Sequence, residues 1–308
     1  MPRRKPSRPL PRSERLGRAS IAWLTLLCLC AIGVRADSKY SARGMVLKVD
    51  KARQTLVVSC ERIPGYMDAM VMPLPVRDAK ALEGLAPGTI IDFTLAVEKD
   101  TAYVDNIHVR KYQSVEPDPE TTRRLKLLDG AFGSPAANVL GATQTVPEFV
   151  LTDQNRRRVA LSQFSGKVVL MNFIYTRCAL PNFCLRISNN FGVLQRRFHE
   201  RMGKDLIFLT VTFDPVHDTP EAMAHYASIW KADPESWRFL TGPKPEIERV
   251  CGWFGVDFFP DEGLMDHSLH TAIIDPTGKL VANIEGNEYT ADQLGDLVQA
   301  VLDRAPVR

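Results

Sequence analysis

The sequence has few cysteines, no long apolar run and little net charge. Only six of its 308 residues are cysteine, and four of these follow residue 36, which is too few for a fold held together by disulfides. The longest apolar run, Ile21 to Val34, has about 14 residues, whereas a membrane-spanning helix needs roughly 20. No internal repeat or low-complexity tract occurs. With 45% hydrophobic and 24% charged residues, the chain is long enough for two globular domains.

The first 36 residues differ from the rest in charge. They contain eight lysines or arginines and one glutamate, a net charge of +7, so the remainder carries 3 − 7 = −4. The basic stretch precedes the apolar run, and Val34-Arg35-Ala36 then offers small residues for cleavage, a pattern typical of a secretory signal peptide over residues 1–36. We therefore predict export to the periplasm, or attachment to the outer face of the inner membrane if the leader stays as an anchor. A nucleic-acid partner is not expected, because the basic charge belongs to the leader.

Five short alternating segments follow between Gly44 and Val109. Pro, Gly and Asp separate them, and this spacing predicts a small all-β, OB-like five-stranded barrel over residues 40–111. The segments are Met45 to Val49, Thr55 to Cys60, Val71 to Val76, Thr89 to Val97 and Ala102 to Val109. Residues 112–144 are rich in proline, glycine and charge, and we interpret them as a linker with a short helix around Thr121 to Leu128.

Residues 145–308 alternate between apolar strands and helices. The order strand, helix, strand, helix, hairpin, helix predicts an α/β thioredoxin-like domain with parallel strands. The predicted strands are Val168 to Tyr175, Leu206 to Phe213, Trp237 to Leu240, Thr271 to Asp275 and Lys279 to Ile284; the predicted helices are Asn182 to Met202, one from Thr219, Pro245 to Phe254 and one from Thr290. Thr290 and Gln293 form a capping box, and Cys251 lies on an apolar helical stripe that predicts a core position.

Cys178 and Cys184 lie where the first of these strands leads into a helix, the usual place for a site in an open α/β sheet. Pro181 interrupts the helix between them, so that Asn182 is the expected N-cap and Cys184 enters the first turn. The helix dipole then predicts a stabilised Cys184 thiolate and exposed, ionisable thiols. Five intervening residues suit either a disulfide or two ligands of one metal ion. A structural disulfide or two reduced core cysteines is the plainer alternative.

His267 is a candidate third ligand. It precedes the strand that begins at Thr271, and in a thioredoxin order that segment lies beside the cysteine loop. Two thiolates and an imidazole accept Cu(I) and also Cu(II), whereas Mg and Ca prefer oxygen; zinc remains chemically allowed. A lone histidine is more often a hydrogen-bonded or surface residue, and His199, His217 and His270 are interpreted in that way.

Several motifs occur in an order that resembles the SCO/SenC family of copper chaperones, from about Val146 to Arg304. They are the cysteines after Tyr175-Thr176, Phe213-Asp214-Pro215 with Asp218-Thr219-Pro220, Phe239-Leu240-Thr241-Gly242, Asp266-His267-Ser268 and Asp275-Pro276-Thr277-Gly278. The resemblance implies copper held by Cys178, Cys184 and His267. It also implies delivery to a copper-accepting protein, such as a subunit of cytochrome c oxidase during its maturation. This chain departs from the family in having five rather than three residues between its cysteines, and Leu185 rather than proline after the second.

A sulfur-rich stretch lies within the predicted barrel. Met70 and Met72 face the same side of a strand because side chains alternate, and Cys60 and Met67 precede them. Thioether and thiolate sulfurs suit Cu(I), although methionine also fills cores as flexible packing. With its Ile63-Pro64-Gly65 approach, the stretch resembles CusF-type periplasmic copper-binding domains. This implies Cys60, Met70 and Met72 as ligands with Met67 accessory. Cys60 stands where that family has histidine, and Met67 stands where it has an aromatic residue.

Three functions therefore compete. In the first, a copper chaperone, the barrel captures Cu(I) and the C-terminal domain receives or delivers it. The second is an enzyme, a thiol-disulfide oxidoreductase in which Cys178 attacks and Cys184 resolves, keeping the cysteines of a copper-accepting partner reduced. The segment Ser268 to Thr271 lacks the cis-proline of general reductases, and no Pro-x-x-x-Thr-x-x-Cys pattern of a peroxiredoxin precedes Cys178. The third is a copper-responsive interaction protein. Asp214 and Asp218 are interpreted as turn and capping residues, with partner docking as the alternative.

Overall fold

The structure is a computed structural model that describes residues 38–98, 101–112, 139–261 and 263–304. The predicted leader and most of the predicted linker, with its short helix, lie outside these residues. Within the described ranges, no helix combines the length and the apolar character needed to cross a membrane. The same ranges contain one five-stranded sheet, one seven-stranded sheet and a two-stranded ribbon.

The N-terminal sheet is an antiparallel barrel. Its strands β1 to β5 are Ser38–Asp50, Thr55–Cys60, Met70–Pro75, Ile90–Glu98 and Thr101–Val109. They are ordered β3-β2-β1-β4-β5, and a bridge between Val76 and Val104 brings the two edges together. Inward-facing side chains such as Leu56, Val58 and Phe93 fill the interior. The five predicted strands and the all-β class are therefore confirmed.

Gly44 allows β1 and β2 to lie very close together. A Cβ atom at this position would lie 2.5 Å from Cγ1 of Val58 and 2.7 Å from the carbonyl oxygen of Ser59. Gly44 is also the cross-strand partner of Cys60. A side chain at Gly44 would therefore displace the end of β2 that carries the barrel cysteine.

The C-terminal domain is an α/β layer structure. Its strands β6 to β14 are Val150–Asp153, Arg158–Ala160, Val168–Ile174, Leu206–Thr212, Trp237–Thr241, Phe258–Asp261, Leu264–His267, His270–Ile274 and Leu280–Glu285. Its helices α1 to α4 are Cys184–Arg197, Pro220–Ile229, Lys244–Trp253 and Ala291–Leu302. The large sheet has the order β14-β13-β8-β9-β10-β6-β7. Strands β8, β9 and β10 are parallel, with α1 and α2 as crossovers, while β13 is antiparallel to β8. This is the predicted thioredoxin-like arrangement.

Local sequence signals explain most of the element boundaries. Every residue of β8 and β9 is buried, which accounts for their largely apolar character. The Thr290–Gln293 capping box starts α4 as predicted, and the Thr219 hydroxyl caps α2. Cys251 is buried in the core as predicted. The hairpin β6–β7 and the ribbon β11–β12 were not predicted, because strands of three or four residues carry too little alternation to recognise.

The barrel packs directly against the C-terminal domain. Met45, Leu47 and Ile90 of the barrel belong to the same hydrophobic cluster as the core of the large sheet. The Ser59 hydroxyl donates a hydrogen bond of 2.7 Å to the Asp296 carboxylate on α4. Apolar and polar contacts therefore hold the two domains together.

Candidate metal centre

Three side chains from three elements converge at one edge of the large sheet. Cys178 lies in the loop after β8, Cys184 is the first residue of α1, and His267 is the last residue of β12. The two sulfur atoms and an imidazole nitrogen all lie within 4.8 Å of one another. The structure thus brings together the three residues singled out in the C-terminal half of the sequence.

The loop between the cysteines is shaped by backbone hydrogen bonds rather than by the predicted cap. The amide of Cys178 donates to the carbonyl of Tyr175 at 3.3 Å, and the amide of Phe183 donates to that of Leu180 at 3.2 Å. The prediction that Asn182 is the N-cap is wrong, because Phe183 occupies that position and no side chain caps the helix. Pro181 lies inside the loop, and α1 begins three residues later at Cys184.

The two thiols differ sharply in their acidity. Cys178 is 6% exposed and Cys184 is completely buried, so the prediction of exposed thiols is wrong. A hydrogen bond from the Cys184 thiol, assisted by the His267 imidazole, lowers the pKa of Cys178 to about 4 even though burial opposes ionisation. Burial raises the pKa of Cys184 well above its usual value, and its hydrogen bond to Cys178 raises it further.

Cys178, rather than the predicted Cys184, is therefore the thiolate of the pair. The helix N-terminus does contribute, but to the other sulfur: the backbone amide of Cys184 donates to Cys178. For Cys184 itself, complete burial disfavours the thiolate more than the helix dipole favours it, so the pKa is raised. The pair shares one proton and is ready to act as a nucleophile or as an anionic metal ligand.

The His267 ring is held in one orientation. Its Nδ1 lies 3.0 Å from the carbonyl oxygen of Ser268, and because a carbonyl only accepts hydrogen bonds, Nδ1 carries a proton. The other ring nitrogen, Nε2, lies on the side of the thiols, 3.7 Å from Sγ of Cys184. The rings of Phe213, Tyr175 and Phe183 surround the imidazole, with centroid distances of 4.7, 5.5 and 6.1 Å. This support fixes the nitrogen that faces the thiols.

Asp218 anchors the start of the cysteine loop. Its buried carboxylate accepts a hydrogen bond of 3.1 Å from the backbone amide of Thr176, and the hydroxyls of Thr176 and Thr212 also donate to it. Burial raises the pKa of this carboxyl above its ordinary value. Asp218 closes the predicted turn through its backbone amide, which donates to the carbonyl of Asp214 at 2.9 Å. Its side chain also ties the cysteine loop to the end of β9, and no local pattern in the sequence signals that second role.

Arg177 connects the cysteine loop to the ribbon that carries His267. Its guanidinium donates to the Asp214 carboxylate at 2.8 Å and to the carbonyl of Gly263 at 3.2 Å. Asp214 also lies 2.9 Å from Nδ1 of His217. The sequence reasoning missed Arg177, although its position next to Cys178 was a signal. By binding Arg177, Asp214 helps to hold the cysteine loop against the ribbon that carries His267.

The barrel presents its predicted sulfur residues on neighbouring strands. Cys60 on β2 is directly opposite Met70 on β3, and Met72 is two residues further along the same face. Cys60 is 2% exposed, and burial raises its pKa to about 12, whereas Met70 is 51% exposed. Met67 packs partly buried against the barrel core. The register thus places Cys60 and Met70 side by side. Of these two side chains, that of Met70 reaches solvent and that of Cys60 does not.

Comparisons with known proteins match both halves of the chain. Residues 137–302, which are 166 of the 308, match the family model described as SCO1/SenC. Residues 39–109 match the model of the copper binding periplasmic protein CusF. Both resemblances stated from the motifs are therefore confirmed.

Individual relatives match mainly the C-terminal half. Protein sco1 of Schizosaccharomyces pombe is 29% identical over 163 residues, which cover 50% of this chain and only 60% of that protein. A putative copper-binding protein of Stutzerimonas stutzeri is 26% identical over 174 residues, covering 54% of this chain and 82% of that one. The crystal structure of Arabidopsis thaliana ScoI with copper bound has a TM-score of 0.46 and 24% identity, covering 52% of this chain and 99% of the other.

Proposed function

Since the chain belongs to the SCO1/SenC family, we propose that it is an exported copper chaperone that holds copper through Cys178, Cys184 and His267. Its cargo would be delivered to a copper-accepting protein, and a subunit of cytochrome c oxidase during maturation is the acceptor that this family implies. The observation that carries the proposal is the convergence of two sulfurs and one imidazole nitrogen within 4.8 Å.

The chemistry of these donors fits copper. Thiolates are soft donors that favour Cu(I), and imidazole also suits copper, so the same set accepts Cu(II) as well. Cys178 provides a thiolate at neutral pH, whereas Cys184 would release its proton when the ion binds. Because His267 is held by its Nδ1 hydrogen bond and by three rings, it needs little reorganisation to supply Nε2.

The barrel supplies a second candidate site, for which we propose Cys60, Met70 and Met72 as ligands and Met67 as an accessory residue. The match to the CusF model and the register of Cys60 with Met70 support this assignment. Thioether sulfurs favour Cu(I) over Cu(II). The barrel would then capture Cu(I), and the C-terminal domain would receive or deliver it.

The proposed location is the periplasm or the outer face of the inner membrane. The basic and apolar segment within residues 1–36 supports export. Outside the cytosol, cysteines are exposed to oxidation, and a buried Cys178–Cys184 pair that retains its thiols would keep its affinity for copper. Fractionation of cells that produce the full chain, with a periplasmic and a cytosolic marker, tests this placement.

Changing His267 to Ala tests the copper proposal. We expect the variant to lose Cu(II) affinity and the sulfur-to-copper charge-transfer absorption, because the remaining sulfurs favour Cu(I). His199→Ala is the matched control, since that side chain is 73% exposed and lies two residues beyond the C-terminal end of α1. Unchanged Cu(II) binding in the His267 variant would contradict the ligand set.

A second function is favoured by a specific observation, the low pKa of Cys178 beside a protonated Cys184. In a thiol-disulfide exchange, the Cys178 thiolate would attack a partner disulfide, forming a mixed disulfide and releasing one partner thiolate. Cys184 would lose its proton and attack Cys178, forming the Cys178–Cys184 disulfide and releasing the second partner thiol. The partner gains two electrons and this pair loses two. His267→Ala keeps both cysteines and therefore keeps the dithiol–disulfide couple while it removes a copper ligand, so the variant separates the two functions.

A further inference from the structure

One short segment of the C-terminal domain touches both halves of the metal centre. This segment, residues 286–289, lies between β14 and α4. The amide of Gly286 donates to the carbonyl of Leu269 at 2.7 Å, two residues after His267. The side-chain amide of Asn287 donates to the carbonyl of Asn182, two residues before Cys184. The segment therefore connects the histidine side of the site to the cysteine side.

The same segment is also in contact with the barrel. Gly286 has φ +82°, and a Cβ atom there would lie 2.2 Å from the ring of Tyr112, so the ring packs against the glycine backbone. The Glu288 carboxylate forms a two-pronged ion pair with Arg110, with distances of 2.9 and 3.0 Å. Tyr112 and Arg110 both follow β5, the last strand of the barrel. Neither contact is predictable from the motifs in either domain.

The contacts continue into the barrel as far as its cysteine. Arg110 also donates to Asp92 at 3.1 Å, and Asp92 accepts a second hydrogen bond of 2.9 Å from Arg43. The carbonyl of Arg43 accepts from the amide of Glu61, the residue after Cys60, at 2.9 Å. A continuous set of hydrogen bonds and ion pairs thus runs from the end of β2 to the loop between Cys178 and Cys184.

We propose that the docked barrel positions the cysteine–histidine site through residues 286–289, with Asn287 as the positioning residue and the Arg110–Glu288 pair as the connection to the barrel. Asn287 is buried and holds a carbonyl of the cysteine loop, so a shift of its backbone moves that loop. The neighbouring Glu288 is held by its ion pair with the barrel arginine, Arg110. This inference rests on the proposed function for the identity of the bound metal. The contacts that carry it position the Cys178–Cys184 pair whether or not that metal is copper.

The test uses the full chain with Met70 and Met72 changed to Leu, so that copper binding reports the C-terminal site. In this background we compare Glu288→Gln, Arg110→Gln and the double variant. Each single change should weaken Cu(I) binding by about threefold to tenfold. The double variant should bind Cu(I) as tightly as the weaker-binding single variant, because both changes remove the same connection. The reduction potential of the Cys178–Cys184 pair should shift in the same three proteins. Glu285→Gln is the control, since Glu285 lies on the surface at the end of β14.

Two readouts keep the outcomes distinct. A shifted reduction potential and weaker copper binding that do not add in the double variant support the proposal. Additive effects, or a potential and an affinity equal to those of the parent, overturn it. If the parent protein itself binds no tight copper at the C-terminal site, the proposed function fails, and the reduction potentials alone then decide whether the barrel positions the thiol pair.

Discussion

In the folded chain, Nε2 of His267 lies 3.7 Å from Sγ of Cys184, although 83 residues separate the two. Cys184 begins α1 and His267 ends β12, so the contact depends on the packing of the ribbon against the cysteine loop. Arg177 holds that ribbon through Gly263, and Phe213 holds the imidazole ring. A site prepared in this way loses little side-chain freedom when it binds.

The acidity of Cys178 gives the first prediction. In the reduced protein, iodoacetamide should modify Cys178 alone, with an apparent pKa of about 4, because only the thiolate reacts and Cys184 stays protonated. Cys184→Ala removes the strongest hydrogen bond to the thiolate, so the pKa of Cys178 should rise. The measurement is the alkylation rate against pH for both proteins. A wild-type profile that rises only above about pH 8, as for an ordinary thiol, would contradict this assignment.

The same shift predicts how stability depends on pH. The folded pKa of Cys178 is about 4 and its ordinary value is 9.0, so between these values the unfolded chain binds one more proton than the folded chain. The thiolate contribution to the free energy of unfolding is therefore complete above about pH 9 and is lost as the pH falls toward 4. Urea unfolding of the reduced wild type and of Cys178→Ser should show a stability difference that grows between pH 5 and pH 8. A constant difference would exclude the linkage.

Most of the fold follows from local patterns. Buried runs such as β8 and β9, the Thr290 capping box and the five barrel strands are each determined by residues within a short window. The thiol acidities are not, because the pKa of Cys184 depends on complete burial by side chains distant in sequence. The helix N-terminus alone predicted the thiolate at Cys184, whereas the structure places it at Cys178.

The composition of the site was predictable, but its supports were not. Motif order pointed to Cys178, Cys184 and His267 as one group. Asp218 contacts Thr176, 42 positions away, and Arg177 contacts Asp214, 37 positions away, and contacts at such separations leave no periodic signal. In the same way, the docking of the barrel depends on pairs such as Arg110 with Glu288, which are 178 residues apart.

Asp218 should be important for both stability and site geometry. In the wild type, the amide and hydroxyl of Thr176 and the hydroxyl of Thr212 donate to the Asp218 carboxylate. Asp218→Asn replaces one accepting oxygen by an NH₂ group that cannot accept, so we expect a loss of about 1–3 kcal/mol in the free energy of unfolding. Because Thr176 precedes Cys178 by two residues, the alkylation rate of Cys178 should change as well. Asp68→Asn is the control, since that side chain is 93% exposed in the barrel. A variant with unchanged stability and unchanged Cys178 reactivity would exclude the anchoring role.

The barrel methionines should bind copper without affecting the C-terminal thiols. Met70→Leu/Met72→Leu keeps side-chain volume while removing both thioethers, so one equivalent of Cu(I) should be lost with little change in stability. Met202→Leu is the control, because Met202 lies beyond α1 in the other domain. Copper stoichiometry and the Cys178 alkylation profile are measured together. Two retained equivalents in the double variant would mean that these methionines are packing residues only.

The central claim is that Cys178 and Cys184 hold one copper ion while the barrel holds another. Anaerobic Cu(I) titration of the reduced protein against a competing chelator tests it most directly, in the wild type and in Cys178→Ser/Cys184→Ser. The account predicts two tight equivalents in the wild type and one in the variant, retained by the barrel. The absence of tight copper in both proteins would contradict the chaperone assignment and would favour thiol-disulfide exchange as the function of the pair.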